Sequence, residues 1–85
     1  MEVERIITWF DKNTEVLVGE LDVSFLDLSI LKDIFKPSIE DPLMYYPYDI
    51  KEEIGAKISK LIDINFEFDK YTYQLDCFQR TETGN

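Results

Sequence analysis

The chain has 85 residues, of which 18 are acidic, nine basic and none histidine; its net charge is −9, and 45% of its residues are hydrophobic and 14% aromatic. That length makes one small domain with little stability to spare, and the apolar content rules out a disordered polyelectrolyte. The charge excludes nucleic acid, which demands a basic footprint, and argues equally against anionic membrane surfaces.

The opening "VERIITWFD", residues 3–11, is rich in β-branched and aromatic residues and predicts a strand. "DKNT", residues 11–14, is turn chemistry, so "EVLVGELDV", residues 15–23, returns antiparallel as the second strand. Leu17, Leu21 and Val23 share one face there, and Gly19 marks a bulge or a close approach by a neighbour. The period then changes. In "SFLDLSILKDIF", residues 24–35, Leu28, Leu31 and Phe35 form a helical stripe with Leu26, Ile30 and Ile34 beside it. Ser24 or Asp27 caps this helix and Pro37 stops it.

The stretch "DPLMYYPYDI", residues 41–50, sets Met44, Tyr45, Tyr46 and Tyr48 around two prolines; it cannot run as a regular helix and is too apolar for an ordinary loop. A second helix is expected next, with Asp49 as N-cap and Glu52 completing a capping box. Its stripe is Ile50, Ile54, Ile58, Leu61 and Ile62, and Gly55 within it marks close packing. "DINFEFD", residues 63–69, alternates strictly and predicts a strand, with Ile64, Phe66 and Phe68 on one face and Asp63, Asn65, Glu67 and Asp69 on the other. Beyond Lys70 the phase shifts, so that Tyr71, Tyr73, Leu75 and Cys77 share a face. A turn between two strands accounts for this better than a bulge in one long strand. Residues 81–85 are a polar tail expected to fray, leaving a single domain over 1–80. The order ββααββ gives an α+β fold: an antiparallel sheet of three to four strands with both helices on one face and many acidic positions on the other.

The chemistry of catalysis is sparse. Without histidine there is no Ser-His or Cys-His pair, no imidazole ligand and no imidazole base. The single cysteine, Cys77, cannot form an internal disulfide or a cysteine-rich zinc site, and three scattered glycines make no phosphate loop. "DINFEFD" spaces its carboxylates like a calcium loop but has Phe68 where the sharp turn needs glycine and Gln74 where the closing acid belongs. No enzyme activity, cofactor or metal is expected. Cys77 reads as a small core residue, and Trp9 as core or core edge. The start lacks the pattern of a signal peptide and no apolar run reaches about 20 residues, so the expected location is the cytoplasm.

Two surfaces remain as candidates. The acids Asp63, Glu67 and Asp69 are either a solvated edge or a docking surface for Lys and Arg. Tyr45, Tyr46 and Tyr48 either plug the core or anchor a partner, as tyrosines at interfaces do. Together "RIITWFDKNTEVLVGEL", "DPLMYYPYDI" and "FEFDKYTYQLDCFQ" resemble a family of short, acidic, uncharacterised bacterial proteins. In size, acidity and lack of catalytic residues the chain is also similar to the immunity proteins of polymorphic-toxin systems. That likeness implies an acidic plug for a basic cleft. The expected function is therefore a protein-binding module, immunity-like, docking a basic partner; a homodimeric structural subunit and a small-ligand binder are the alternatives.

Overall fold

A computed structural model describes residues 2–80, and the side chains of 3–79; the expected frayed tail, 81–85, lies outside the described residues. Strand β1 (Glu2–Asp11) turns into β2 (Leu17–Asp22), followed by helix α1 (Leu28–Phe35), strand β3 (Tyr48–Ile50), helix α2 (Glu52–Ser59) and strand β4 (Tyr71–Arg80). The sheet order is β2-β1-β4-β3, antiparallel throughout. The α+β class is as expected, with four strands and two helices. Among the described residues no helix is long and apolar enough to cross a membrane.

The first turn closes as its residue types dictate. The Asp11 carboxylate accepts the N–H groups of Asn13 and Thr14 at 2.8 and 2.9 Å, an Asx-type turn. Ladder register then sorts the side chains. Ile7 lies opposite Leu21 on one side and Leu75 on the other, while Tyr48 and Ile50 face Leu75 and Tyr73. These positions share one face and meet Leu31 and Ile34 of α1 and Ile58 of α2 in a single core. Gly19 lies opposite Trp9, and a Cβ there would land on the indole ring. The register also shifts between Trp9 and Phe10, setting Leu17 opposite Phe10 rather than in line with Leu21. Both meanings of Gly19, bulge and close approach, hold together.

Three expectations are corrected. The element order is ββαβαβ: the strand between the helices is Tyr48–Ile50, inside the proline-flanked stretch. Asp49 is therefore not a helix cap; it sits in β3 opposite Gln74, and Lys51 occupies the N-cap position of α2. Pairing with Tyr73 buries Ile50 completely, which contributes about 1.5–3 kcal/mol against about 1 kcal/mol for a helix cap. "DINFEFD" is not a strand. Residues 63–67 are irregular and 68–70 form a turn in which Lys70 and Tyr71 donate to the Glu67 carbonyl. Its alternation encodes burial alone: Ile64, Phe66 and Phe68 are half-buried, while Asp63, Asn65 and Asp69 are exposed. Phe66 and Phe68 stack at 5.1 Å and meet the Tyr73 ring edge-on at 4.8 and 5.3 Å. For the start of α1 the structure selects one of the two expected candidates. Asp27 holds the N-cap position, and Ser24 Oγ accepts the Arg5 N–H at 3.0 Å.

Candidate functional site: the tyrosine loop and the acidic sheet face

The loop between α1 and β3 is organised by one carboxylate. Asp41 is only 5% exposed. Its Oδ1 accepts the Tyr45 N–H at 2.8 Å, and its Oδ2 accepts the Tyr46 N–H at 3.2 Å and the Tyr48 hydroxyl at 2.6 Å. Burial disfavours the charge. The Tyr48 hydroxyl and the two amides outweigh that and, with Arg5 nearby, hold the carboxyl below its usual range. Tyr48 responds in the opposite sense: burial, then the bond to Asp41, push its phenol up to about 12. Sequence reasoning assigned Asp41 no role. The signal was there, since an Asp before a proline and four residues ahead of a tyrosine fits side-chain-to-backbone bonding.

Beneath the loop, Met44 is buried with a left-handed φ of 56°. The strain costs about 1–2 kcal/mol, and burying the side chain contributes about 1.5–3 kcal/mol, so packing wins. Arg5 Nη2 donates to the Leu43 carbonyl at 2.7 Å and pins the loop to β1.

The three tyrosines thus divide. Tyr48 is half-buried, bonded to Asp41, and packs on Phe35 with ring centroids 5.7 Å apart. Tyr45 and Tyr46 are 53% and 65% exposed. Cys77 is half-buried rather than core, opposite Arg5 on β4, and burial pushes its thiol up.

The acids singled out in the sequence lie elsewhere. Asp63 and Asp69 are exposed, and Glu67 pairs with Lys70 at 3.2 Å. Asp69 lines a groove with Lys12 and Tyr71, next to the Asp11 end of β1, whereas Tyr45 lies by Val3 at the other end. Val3 to Asp11 along a strand is roughly 26 Å at about 3.3 Å per residue. Tyr45 and Asp69 therefore belong to two separate surfaces.

A different set of acids shares the sheet face turned away from the helices. Register puts Glu4, Glu20, Asp22, Asp49 and Asp76 there, around Ile6, Thr8, Phe10 and Phe78. The acidic face expected of the alternate positions is present. Asp76 is fixed within it by Thr8 Oγ1 at 2.9 Å and Gln74 Nε2 at 2.7 Å. Phe78 is 49% exposed, opposite Glu4 and two residues from Asp76. So β4 at its C-terminal end carries an exposed ring and fixed charge on one face, with Tyr45 over the other.

No curated protein matches the chain. Residues 4–76, from β1 into β4, match a domain of unknown function, DUF7683, and the chain belongs to that uncharacterised domain family.

Proposed function

We propose that the protein is a non-enzymatic binding module that docks a basic protein partner. One observation carries this reading: at the C-terminal end of β4 an exposed ring stands on the acidic sheet face, and a tyrosine loop held by hydrogen bonds stands over the other face. Tyr45 and Tyr46 are held by backbone bonds to Asp41, and Phe78 stands between Glu4 and Asp76. Fixed aromatic anchors bind at low entropic cost, and an acidic surround steers a cationic partner and sets orientation more than raw affinity. An inhibitor of the immunity type is the specific form of this reading, with the acidic face as plug; a gene for a toxin domain beside this one is its expected companion.

The test is capture of partners from the source cell at low salt. Wild-type protein is expected to retain a basic protein that about 0.5 M salt releases, since screening at that strength shortens the Debye length to about 4 Å. Tyr45→Ala/Tyr46→Ala and Glu20→Lys/Asp49→Lys variants are each expected to lose it. Retention that ignores both salt and substitutions would refute the proposal.

A homodimer through a sheet edge is the second reading. Its support is the exposed run Val16, Leu17 and Val18 at the start of edge strand β2. Glu20 and Asp22 farther along that strand oppose it, because a two-fold antiparallel pairing of β2 brings like charges together. A strict monomer in sedimentation at micromolar concentration dismisses this reading.

A further inference from the structure

Among the described residues, the edge of β4 beyond β3 is a vacant strand position. Backbone direction can be read from the neighbours. Arg5 turns both its N–H and C=O toward the β2 side, to Ser24 Oγ and to the Val23 N–H. Lys12, an odd number of residues away, donates its N–H to the Lys70 carbonyl on the β4 side. Even-numbered residues of β1 therefore bond β4, and the constant register makes the even residues of β4 their partners. Tyr73, Leu75, Cys77 and Gln79 point the other way, toward β3. Strand β3 takes Tyr73 and Leu75 through Ile50 and Tyr48, and stops.

Continuing that register would set Tyr46 opposite Cys77. By the same alternation Tyr46 would have to give its N–H to Cys77, and that N–H is already on Asp41. Among the described residues no other backbone group meets the outward N–H and C=O of Cys77 and Gln79. The Asp41 clasp thus holds the chain's own next segment off this edge.

The two sides of the vacancy differ in chemistry. On the helix side lies a groove of about 440 Å³ lined by Val3, Tyr45, Cys77 and Gln79. Arg5 lies opposite Cys77 on this side and makes it unfavourable for a second cation. On the open side stand Phe78, Asp76 and Glu4. A residue added opposite Cys77 or Gln79 bonds β4 with its backbone and sends its side chain into the groove; a residue opposite Phe78 sends its side chain to the acidic face.

We infer that the β4 edge at Cys77–Gln79 binds an extended segment of a partner protein by strand addition, recognising alternating apolar and basic side chains, apolar into the groove and basic over Asp76 and Phe78. This deepens the proposed docking of a basic partner and rests on it. Backbone pairing supplies the hold and the alternation supplies selectivity.

The probe is the hexapeptide Val-Lys-Val-Lys-Val-Lys, compared with the same peptide N-methylated at its valines, which keeps charge and side chains but removes the amides that would bond β4. Wild-type protein is expected to bind the unmethylated peptide at least about tenfold more tightly, a discrimination of about 1.4 kcal/mol, with slowed amide exchange at Cys77 and Gln79. Gln79→Pro removes an outward N–H and leaves the β1 ladder intact, so it should abolish the preference, whereas Gln79→Ala should keep it. Equal, salt-sensitive binding of both peptides overturns strand addition and leaves the acidic docking reading standing. Salt-insensitive binding, or no binding of either peptide, overturns both. Unchanged exchange at Cys77 and Gln79 in the wild-type complex overturns the inference without recourse to any variant.

Discussion

Asp41 decides whether the loop exists as a fixed surface, because three donors converge on its two oxygens. Removing one donor is the mildest test: Tyr48→Phe loses a hydroxyl bonded to a charged acceptor and should cost about 1–2 kcal/mol in chemical denaturation, at the lower end because the site is partly solvated. Asp41→Asn should cost more, since the amide places donors where donors already point. The pH dependence follows from the two shifts. Asp41 has its folded pKa depressed below 3.8, so its contribution is complete above about pH 4 and is lost as pH falls through the lowered value. Tyr48 has its folded pKa raised from 10 to about 12, so its contribution is complete below about pH 10 and is lost as pH rises through about 12. The stability difference between wild type and Asp41→Asn should therefore be flat from about pH 5 to 9 and shrink on the acid side. A difference that stays constant down to pH 2 would mean that Asp41 is not the clasp.

Helix α2 shows one element set by a neighbour. In an exposed helix Gly55→Ala would gain about 1 kcal/mol. Here an added Cβ stands 2.7 Å from Phe68 Cζ and 3.2 Å from Phe66 Cδ2. Overpacking of this kind costs about 1–3 kcal/mol, so the substitution should destabilise on balance, by about 1 kcal/mol. Adding Phe68→Leu should recover part of the loss in thermal melts, giving a coupling a double-mutant cycle can measure. Gly55 was legible in the sequence as a close contact because a glycine inside an apolar stripe has little other reason to be there. The same logic read Gly19 under Trp9, and the stripes of Leu31, Ile34 and Ile58 placed the core faces of both helices. The short strand β3 was not legible. Tyr48, Asp49 and Ile50 are too few to show a period, and only the ladder with Tyr73 and Leu75 makes them a strand. "DINFEFD" failed for the converse reason: alternation records which side chains are covered, whereas a strand also needs a free edge to bond. β3 already occupies that side of Tyr73, and the Tyr73 hydroxyl accepts the Glu67 N–H at 2.9 Å instead.

At the scale of the molecule, charge and rings are distributed along a sheet whose two ends lie far apart. Composition made both the acidity and the aromatic content plain, and the alternation of the strands placed much of the acid on the open face. What composition cannot hold is distance. Tyr45 lies at the Val3 end, and Asp69 lies with the segment that covers the Asp11 end, so the two candidate surfaces stand apart on the sheet. Their energetic coupling is predictable from that separation. Sites more than about 10 Å apart with no shared partner add within about 0.3–0.5 kcal/mol, and screening at about 0.15 M salt limits charge effects to about 8 Å. Once the basic partner is in hand, Tyr45→Ala/Tyr46→Ala should weaken binding by at least about tenfold, and Asp63→Asn/Asp69→Asn by less than about twofold. The combined variant should show their product. A combined loss far from that product would require one partner surface bridging both ends of the sheet, and the acids of the open face would then cease to be the principal electrostatic contact.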